Sequence, residues 1–417
     1  MPGKLTIYIG PNGYGKTTKL ENEKQKIDAA NPNNTIFLPS EILLEDELKD
    51  LENSKSMECF LEEIFLTPQN ISTLKTQIQQ GVNTNILGIR NEINNIIDNI
   101  LRLNDSVRED GKDFITQSAK GIEYKKVLSI DKTIFKQMGS GQKMLLLLEF
   151  VLRSNKNYIF LDEPEKYMQP SLIKILGEKI RNLIAQDKNV YISTHSPKLL
   201  SFLEFSLDSI NLLNEKNDNC KKIDLNKILD TINEKINISQ NVPNKFKKYF
   251  DFENLQKSIL QIHRYNFFDA LFSKKVILCE GVNDKFFIEK LLRDNNRQFE
   301  DYVIFSTFGK PNIPIFLELF NSLHIDTQFY FDIDPNLKNT QENEWNNKIN
   351  DYFHKNYHNK YYGFTPNIEG ELNFNDKKKY DVLEFINHLD KFSFANSKYL
   401  IKDAKEPSLN MDNNETN

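Results

Sequence analysis

The feature that most constrains this chain is an apolar strand that runs directly into a glycine-rich loop and then a helix. Leu5–Ile9 is followed by Gly10-Pro11-Asn12-Gly13-Tyr14-Gly15-Lys16-Thr17, which fits GxxxxGK[ST]. The pattern calls for an α/β fold, in which a parallel strand delivers the loop and the helix begins where anions are best held. Glycines let successive backbone N–H groups turn inward around phosphate oxygens. Asn12, Gly13, Tyr14, Gly15, Lys16, Thr17 and Thr18 are therefore the candidate nucleotide contacts. Lys16 is expected to neutralise the β- and γ-phosphates, and Thr17 to ligate Mg²⁺.

Two later strand tips complete the pattern. Tyr158–Leu161 ends in Asp162-Glu163. Asp162 is placed to hold the Mg²⁺ water shell, and Glu163 to polarise an attacking water. Val190–Ser193 leads to His195, which is expected to hydrogen-bond the γ-phosphate. Between them, Gly139-Ser140-Gly141-Gln142-Lys143 opens a helix. In this order the motifs resemble the ABC-type ATPases over residues 4–205. Ser140, Gly141 and Gln142 resemble that family's LSGGQ signature, with Met138 in the first position and the central glycine pair interrupted. The resemblance implies ATP as cofactor. It also implies that one subunit's signature meets the nucleotide of another, so a chain with one loop and one signature is expected to act as a homodimer or higher oligomer.

A second strand–helix alternation starts at Lys274. Val276–Cys279 carries Glu280-Gly281 at its tip, Asp284 begins the next helix, and Phe329–Phe331 delivers Asp332-Ile333-Asp334. On an extended tip, residues two apart face one side, so Asp332 and Asp334 are expected to converge with Glu280. Clustered carboxylates repel unless divalent cations neutralise them, and hard oxygen donors suit Mg²⁺ or Mn²⁺. This arrangement resembles a TOPRIM domain. The longer stretch Val276–Phe287, with Phe308-Gly309-Lys310 and Asp332–Asp334, resembles the OLD family, in which an ABC ATPase precedes a TOPRIM nuclease. The resemblance implies metal-dependent cleavage of nucleic acid, with DNA expected ahead of RNA and a role in anti-phage defence, with or without a partner protein. It also implies a further acid and a lysine downstream. Glu369 and Glu371 are the acidic candidates; Lys398, Lys402 and Lys405 are the lysine candidates, with Lys402 taken for the catalytic role. The expected metal ligands are thus Thr17, Asp162, Glu280, Asp284, Asp332, Asp334, Glu369 and Glu371. The expected catalytic groups are Glu163, His195, Glu280, Asp332, Asp334 and Lys402.

The organisation follows from these motifs. Residues 1–205 read as the ATPase domain, with a helical insert over about 41–135; residues 206–272 as a helical connecting region; 273–405 as a TOPRIM (Rossmann-like) nuclease domain; and 406–417 as a disordered tail. One long helix is expected from Phe252 to Phe272. His354 and His358, four apart, are expected on one exposed helix face, a spacing that could bind a metal but is read first as a solvated surface. The net charge of −5 excludes a wholly basic nucleic-acid coat, leaving local patches such as Lys245–Lys248 and Lys377–Lys379. Cys59, Cys220 and Cys279 stand far apart with no CxxC pair, which fits a reducing compartment. The longest apolar run, Met144–Leu152, contains Glu149 and is too short to cross a bilayer, so a cytoplasmic protein is expected. Two other functions fit the same residues: an ATPase sensor or scaffold that holds a partner effector, and a TOPRIM ribonuclease acting on tRNA.

Overall fold

A computed structural model describes residues 3–32, 34–40, 115–116, 129–130, 139–213, 220–237, 242–298, 300–335, 337–374 and 381–401. The chain divides into two compact units, Met1–Lys222 and Ile223–Asn417.

The first unit is built on a six-stranded sheet in the order β2-β5-β6-β1-β7-β8. Its strands are β1 (Leu5–Ile9), β2 (Thr35–Leu38), β5 (Tyr158–Asp162), β6 (Asn189–Thr194), β7 (Ile210–Leu212) and β8 (Lys221–Lys222). All pairings are parallel except β7 with β8. The central strands are continuous apolar runs because both faces are covered. Ile7, Ile9, Ile159, Phe160, Val190 and Ile192 have no solvent exposure. Helix α1 (Lys16–Ala30), α2 (Ser140–Arg153) and α3 (Pro170–Ala185) belong to this unit. The expected insert, 41–135, lies outside the described residues except for one short antiparallel pair, β3 (Ile115–Thr116) with β4 (Ser129–Ile130).

The second unit carries a four-stranded, wholly parallel sheet in the order β10-β9-β11-β12. Its strands are β9 (Lys275–Cys279), β10 (Tyr302–Ser306), β11 (Asp326–Asp332) and β12 (Tyr361–Phe364). The chain leaves β9 for β10 on one side and reaches β11 on the other. The carboxyl ends of β9 and β11 thus flank a topological switch point, the place where open parallel sheets bind their ligands. The core is aromatic: Phe287, Phe305, Phe316, Phe320, Phe329 and Trp345 are all fully buried. Around it lie α4 (Leu225–Ile236), α5 (Arg264–Phe272), α6 (Val282–Asp294), α7 (Ile313–Ser322), α8 (Thr340–Asn356) and the single turn α9 (Ile368–Glu371).

The segment 206–272 is shared between the units and contains β7, β8 and α4. The single helix expected over Phe252–Phe272 is broken. It runs from Phe252 to Lys257, widens into a π-turn over Ser258–Ile262, pauses at His263 and resumes as α5. The helix expected to hold both His354 and His358 ends at Asn356. His354 Nδ1 instead contacts the Tyr361 hydroxyl.

Candidate active sites

In the first unit, the carboxyl ends of β1, β5 and β6 lie side by side, because these strands are paired in register. Gly10 leaves β1 with φ 148°, and a Cβ there would stand 2.2 Å from the carbonyl oxygen of Leu213. Only glycine fits that crossing. Gly13 and Gly15 take left-handed backbone at φ 81° and 86°, which turns the loop into α1. Buried Lys16 lies within the loop, donating from Nζ to the carbonyls of Gly10 (2.9 Å) and Pro11 (3.2 Å). Burial pulls its pKa down, while the neighbouring Glu163, Asp162 and Glu165 oppose that fall.

The acidic pair at the end of β5 is held by its neighbours. Thr17 Oγ1 donates to both carboxylate oxygens of Asp162 at 3.0 Å, and Ser193 Oγ donates to Oδ1. Glu163 takes a left-handed backbone (φ 44°), and its N–H donates to the Ser193 carbonyl at 2.9 Å. Its carboxylate stands 3.2 Å from His195 Nδ1 and 3.8 Å from Lys16 Nζ. Asn12, Gly13, Thr17, Asp162, Glu163 and His195 line one cleft of about 1040 Å³. That volume accommodates a nucleotide. The hydroxyl of Thr17 and the carboxylate of Asp162 are the hard oxygen pair that suits Mg²⁺.

Glu165, which no sequence motif singles out, also belongs to this site. It is buried in the same cleft wall, takes a hydrogen bond from Thr194 Oγ1, and leaves Oε2 without a partner. Burial pushes its pKa up. The available signal was the third acid in Asp162-Glu163-Pro164-Glu165. Gly141 and Gln142 do not line the cleft. The nearly buried Gln142 accepts the N–H of Gly139 at 2.8 Å, capping α2. Gly141 lies so close to the start of α3 and the turn before it that a Cβ would come within 2.8 Å of Met168 Cγ and 3.2 Å of Leu172 Cδ1.

In the second unit, Glu280 ties the tips of three strands together. Its Oε1 accepts the N–H of Asp332 at 2.8 Å, and its Oε2 accepts the N–H of Lys310 at 3.2 Å. Asp332, at the end of β11, accepts the N–H of Ile368 at 2.9 Å. Asp284 lies buried in the first turn of α6 and caps it through Gly281 N–H at 2.9 Å, leaving Oδ1 without a partner. Burial drives the pKa values of Glu280, Asp284 and Asp332 upward. Repulsion adds to this: Asp332 feels Glu280, Asp284 and Asp334, while Asp284 feels Glu280 and Glu369. Among the described residues, no three His, Cys, Asp or Glu side chains already stand in ligand range of one point. The donor set nonetheless fits a divalent cation: its oxygens are hard, its charges repel, and Asp284 offers an orphaned oxygen.

In the folded chain Asp334 does not lie on the extended strand tip that the sequence pattern predicts. β11 ends at Asp332, and Asp334 sits in a left-handed turn (φ 48°) with its N–H on the Pro366 carbonyl at 2.8 Å. The turn is held from behind by buried Lys310, whose Nζ donates to the carbonyls of Asp332 and Ile333 (3.2 Å) and to Asn346 Oδ1. Asn346 and Asn350 donate to the Ile333 carbonyl at 2.9 Å and 3.0 Å. Burial lowers the pKa of Lys310 to about 8 against the pull of Glu280, Asp334 and Asp332.

The two downstream acids separate. Glu369 is buried, takes an N–H from Asn283 Nδ2 at 3.1 Å, and adds its charge to the field at Asp284. Glu371 points elsewhere: it holds Lys398 Nζ and the Tyr362 hydroxyl, each at 2.6 Å. Lys398 is thereby engaged as an ion-pair partner, while Lys402 and Lys405 lie outside the described residues. Cys279 is fully buried beside Glu280, and burial pushes its thiol pKa well up.

Residues 271–334 match the family model described as the TOPRIM domain of Overcoming lysogenization defect protein-like proteins. The chain is 26% identical over 194 residues to Endonuclease GajA of Bacillus cereus (strain HuB5-5), covering 43% of this chain and 26% of that protein. It is 27% identical over 190 residues to the Old nuclease of Escherichia phage P2, covering 44% and 28%. A provisionally named ABC transporter ATP-binding protein of Archaeoglobus fulgidus is 25% identical over 199 residues, covering 47% of this chain and 59% of that protein. The matched region thus spans about a quarter of the two nucleases' own lengths. Among the described residues, no helix is long and apolar enough to cross a membrane. Residues 271–334 are thus similar to the TOPRIM domain of the OLD-like family, and they follow a phosphate-loop-bearing α/β unit built on a mostly parallel sheet.

Proposed function

We propose that this chain is an ATP-regulated, divalent-metal-dependent endonuclease of the OLD type, working as a homodimer on DNA in anti-phage defence. The observation that carries the reading is the position of Glu280, Asp284 and Asp332 at the switch point of a parallel sheet, within the stretch that matches the OLD-like TOPRIM model. The named relatives are nucleases, which supports the same chemistry here.

Glu280, Asp284, Asp332, Asp334 and Glu369 would hold Mg²⁺ or Mn²⁺. When bound, such cations activate water and stabilise the leaving oxygen of a phosphodiester. The protein's part is to set the donors in place. Glu280 ties the β9 tip to the β11 tip through the Asp332 N–H and to the turn after β10 through the Lys310 N–H, and Lys310 fixes the turn that carries Asp334. In the first unit, Lys16 would neutralise the nucleotide phosphates, Thr17 and Asp162 would hold Mg²⁺, and Glu163, oriented by His195, would accept a proton from water.

The test is incubation of the purified chain with supercoiled plasmid and with total tRNA, using Mg²⁺ or Mn²⁺, with and without ATP. The reading predicts metal-dependent plasmid cleavage that EDTA stops. Glu163→Gln should retain ATP and change the cleavage rate when ATP is present. Cleavage indifferent to ATP in both proteins would remove the regulatory half of the proposal. Cleavage of tRNA alone would move the substrate from DNA to RNA.

A further inference from the structure

In the turn after β10, the second unit presents an aromatic ring in an unusual setting. Phe308 is 57% exposed and takes a left-handed backbone at φ 55°. A bulky residue rarely adopts that conformation, and strain of this kind gathers at functional sites. The ring is backed by His263, 3% exposed, at 5.0 Å between centroids. His263 in turn packs on Phe305 at 5.2 Å and Phe316 at 4.8 Å, so the platform rests on the core.

Two features connect this ring to its surroundings. On one side, Gly309 N–H donates to the Glu280 carbonyl at 2.9 Å and Lys310 N–H to the Glu280 carboxylate at 3.2 Å. The two residues that follow Phe308 are therefore both hydrogen-bonded to Glu280, the group that organises the carboxylates. On the other side, a cleft of about 290 Å³ is lined by Lys248, Tyr249, Lys257, Gln261, Ile262 and Asn312, among others. Ile262 is 65% exposed on the π-turn that precedes His263, and Lys248 and Lys257 are exposed. π-turns recur at functional sites. Cationic side chains, amides and an exposed ring in series are the chemistry of a nucleic-acid strand, with phosphates on lysine and bases on the aromatic face.

Resting on the nuclease reading above, we infer that Phe308 is a stacking platform for an unpaired base next to the cleaved phosphate, and that the Lys248–Lys257 cleft carries the adjoining backbone. The platform accounts for why a large ring is kept exposed on a backbone that disfavours it. Stacking tolerates any base, so the site would supply grip without sequence preference.

The test uses the full chain with Ca²⁺ in place of Mg²⁺ and single-stranded oligonucleotides carrying 2-aminopurine, with DNA and RNA arms and a blunt-duplex arm. The parent should bind the single strands and quench the probe. Phe308→Leu should melt as the parent does, lose the quench and bind about 5- to 150-fold more weakly, while Phe308→Trp retains both. Replacing Lys248 and Lys257 together with glutamine should flatten the log–log salt dependence of binding by about 1.4. A Phe308→Leu protein that quenches and binds as tightly as the parent would overturn the platform. The nuclease reading fails separately, when the parent cleaves no nucleic acid with Mg²⁺ or Mn²⁺. A parent that cleaves alongside an equally active Phe308→Leu leaves that reading standing and removes only this one. Preference between the DNA and RNA arms identifies the strand.

Discussion

His263 links the stability of the second unit to pH in a way that can be calculated. The imidazole is enclosed by Phe305, Phe308 and Phe316, and burial lowers its pKa from 6.5 to about 4, against a backbone hydrogen bond at Ser306 that raises it. Its Nδ1 has no partner, so protonation would place a charge in an apolar pocket. A histidine with a depressed folded pKa takes up its proton only in the unfolded chain between pH 6.5 and about 4. Stability is therefore complete above pH 6.5 and is lost as the pH falls through that window. At pH 5 the two values translate to a loss of about 2 kcal/mol relative to pH 7.5, or roughly 4–8 °C in melting temperature for a unit of this size. The assay is thermal and urea unfolding of the parent and His263→Phe across pH 5–7.5. Phe keeps the ring packing and cannot titrate. Its unfolding curve should shift with pH by about 2 kcal/mol less than the parent's. Parallel pH profiles in the two proteins would show that His263 is not held neutral by burial, and the argument would fail.

Other perturbations follow from single contacts. Gly10→Ala would drive a Cβ to 2.2 Å from the Leu213 carbonyl oxygen, so it should abolish ATP binding measured by fluorescent-nucleotide titration and cost several kcal/mol, on the order of 3, in the first unit. Lys310→Met should take the Nζ donor from the Asp332 carbonyl and one of three side-chain donors from the Ile333 carbonyl, and reduce metal affinity by about 10- to 100-fold, read by Mn²⁺ titration. Glu371→Gln breaks the pair with Lys398 without touching the carboxylates around Glu280, so cleavage should fall much less than in Glu369→Gln, compared as initial rates.

The sequence was most legible where an apolar run stops at a chemically marked tip. β1, β5, β6, β9 and β11 are each five to seven residues long and each ends at Gly10, Glu163, His195, Glu280 or Ile333 within a residue of the last strand position. Length and burial there agree with local pattern, so motif and fold point the same way. β7 and β8 escaped notice because they are three and two residues long, and β8 is Lys221-Lys222, which carries no strand signal of its own. The break at His263 follows from tertiary packing: that ring fills a pocket among three phenylalanines, which helical periodicity cannot foresee. The same limit applied at the acidic site. Glu369 and Glu371 look alike in sequence, and only the placement of Asn283 and Lys398, 86 and 27 residues away, separates them. Lys310 stood in a recognised motif, but its clamp on the Asp332–Asp334 turn depends on Asn346, 36 residues further on.

The central claim is that the carboxylates at the β9 and β11 tips cut phosphodiester bonds with a divalent metal. The most direct measurement is the initial rate of supercoiled-plasmid cleavage across a Mn²⁺ titration, for the parent and for Asp332→Ala at matched folding. The account predicts a saturable, EDTA-sensitive rate in the parent that falls at least about 100-fold in Asp332→Ala, the scale of losing a group that stabilises transition-state charge. Equal rates in the two proteins would place the cleavage elsewhere and contradict the account.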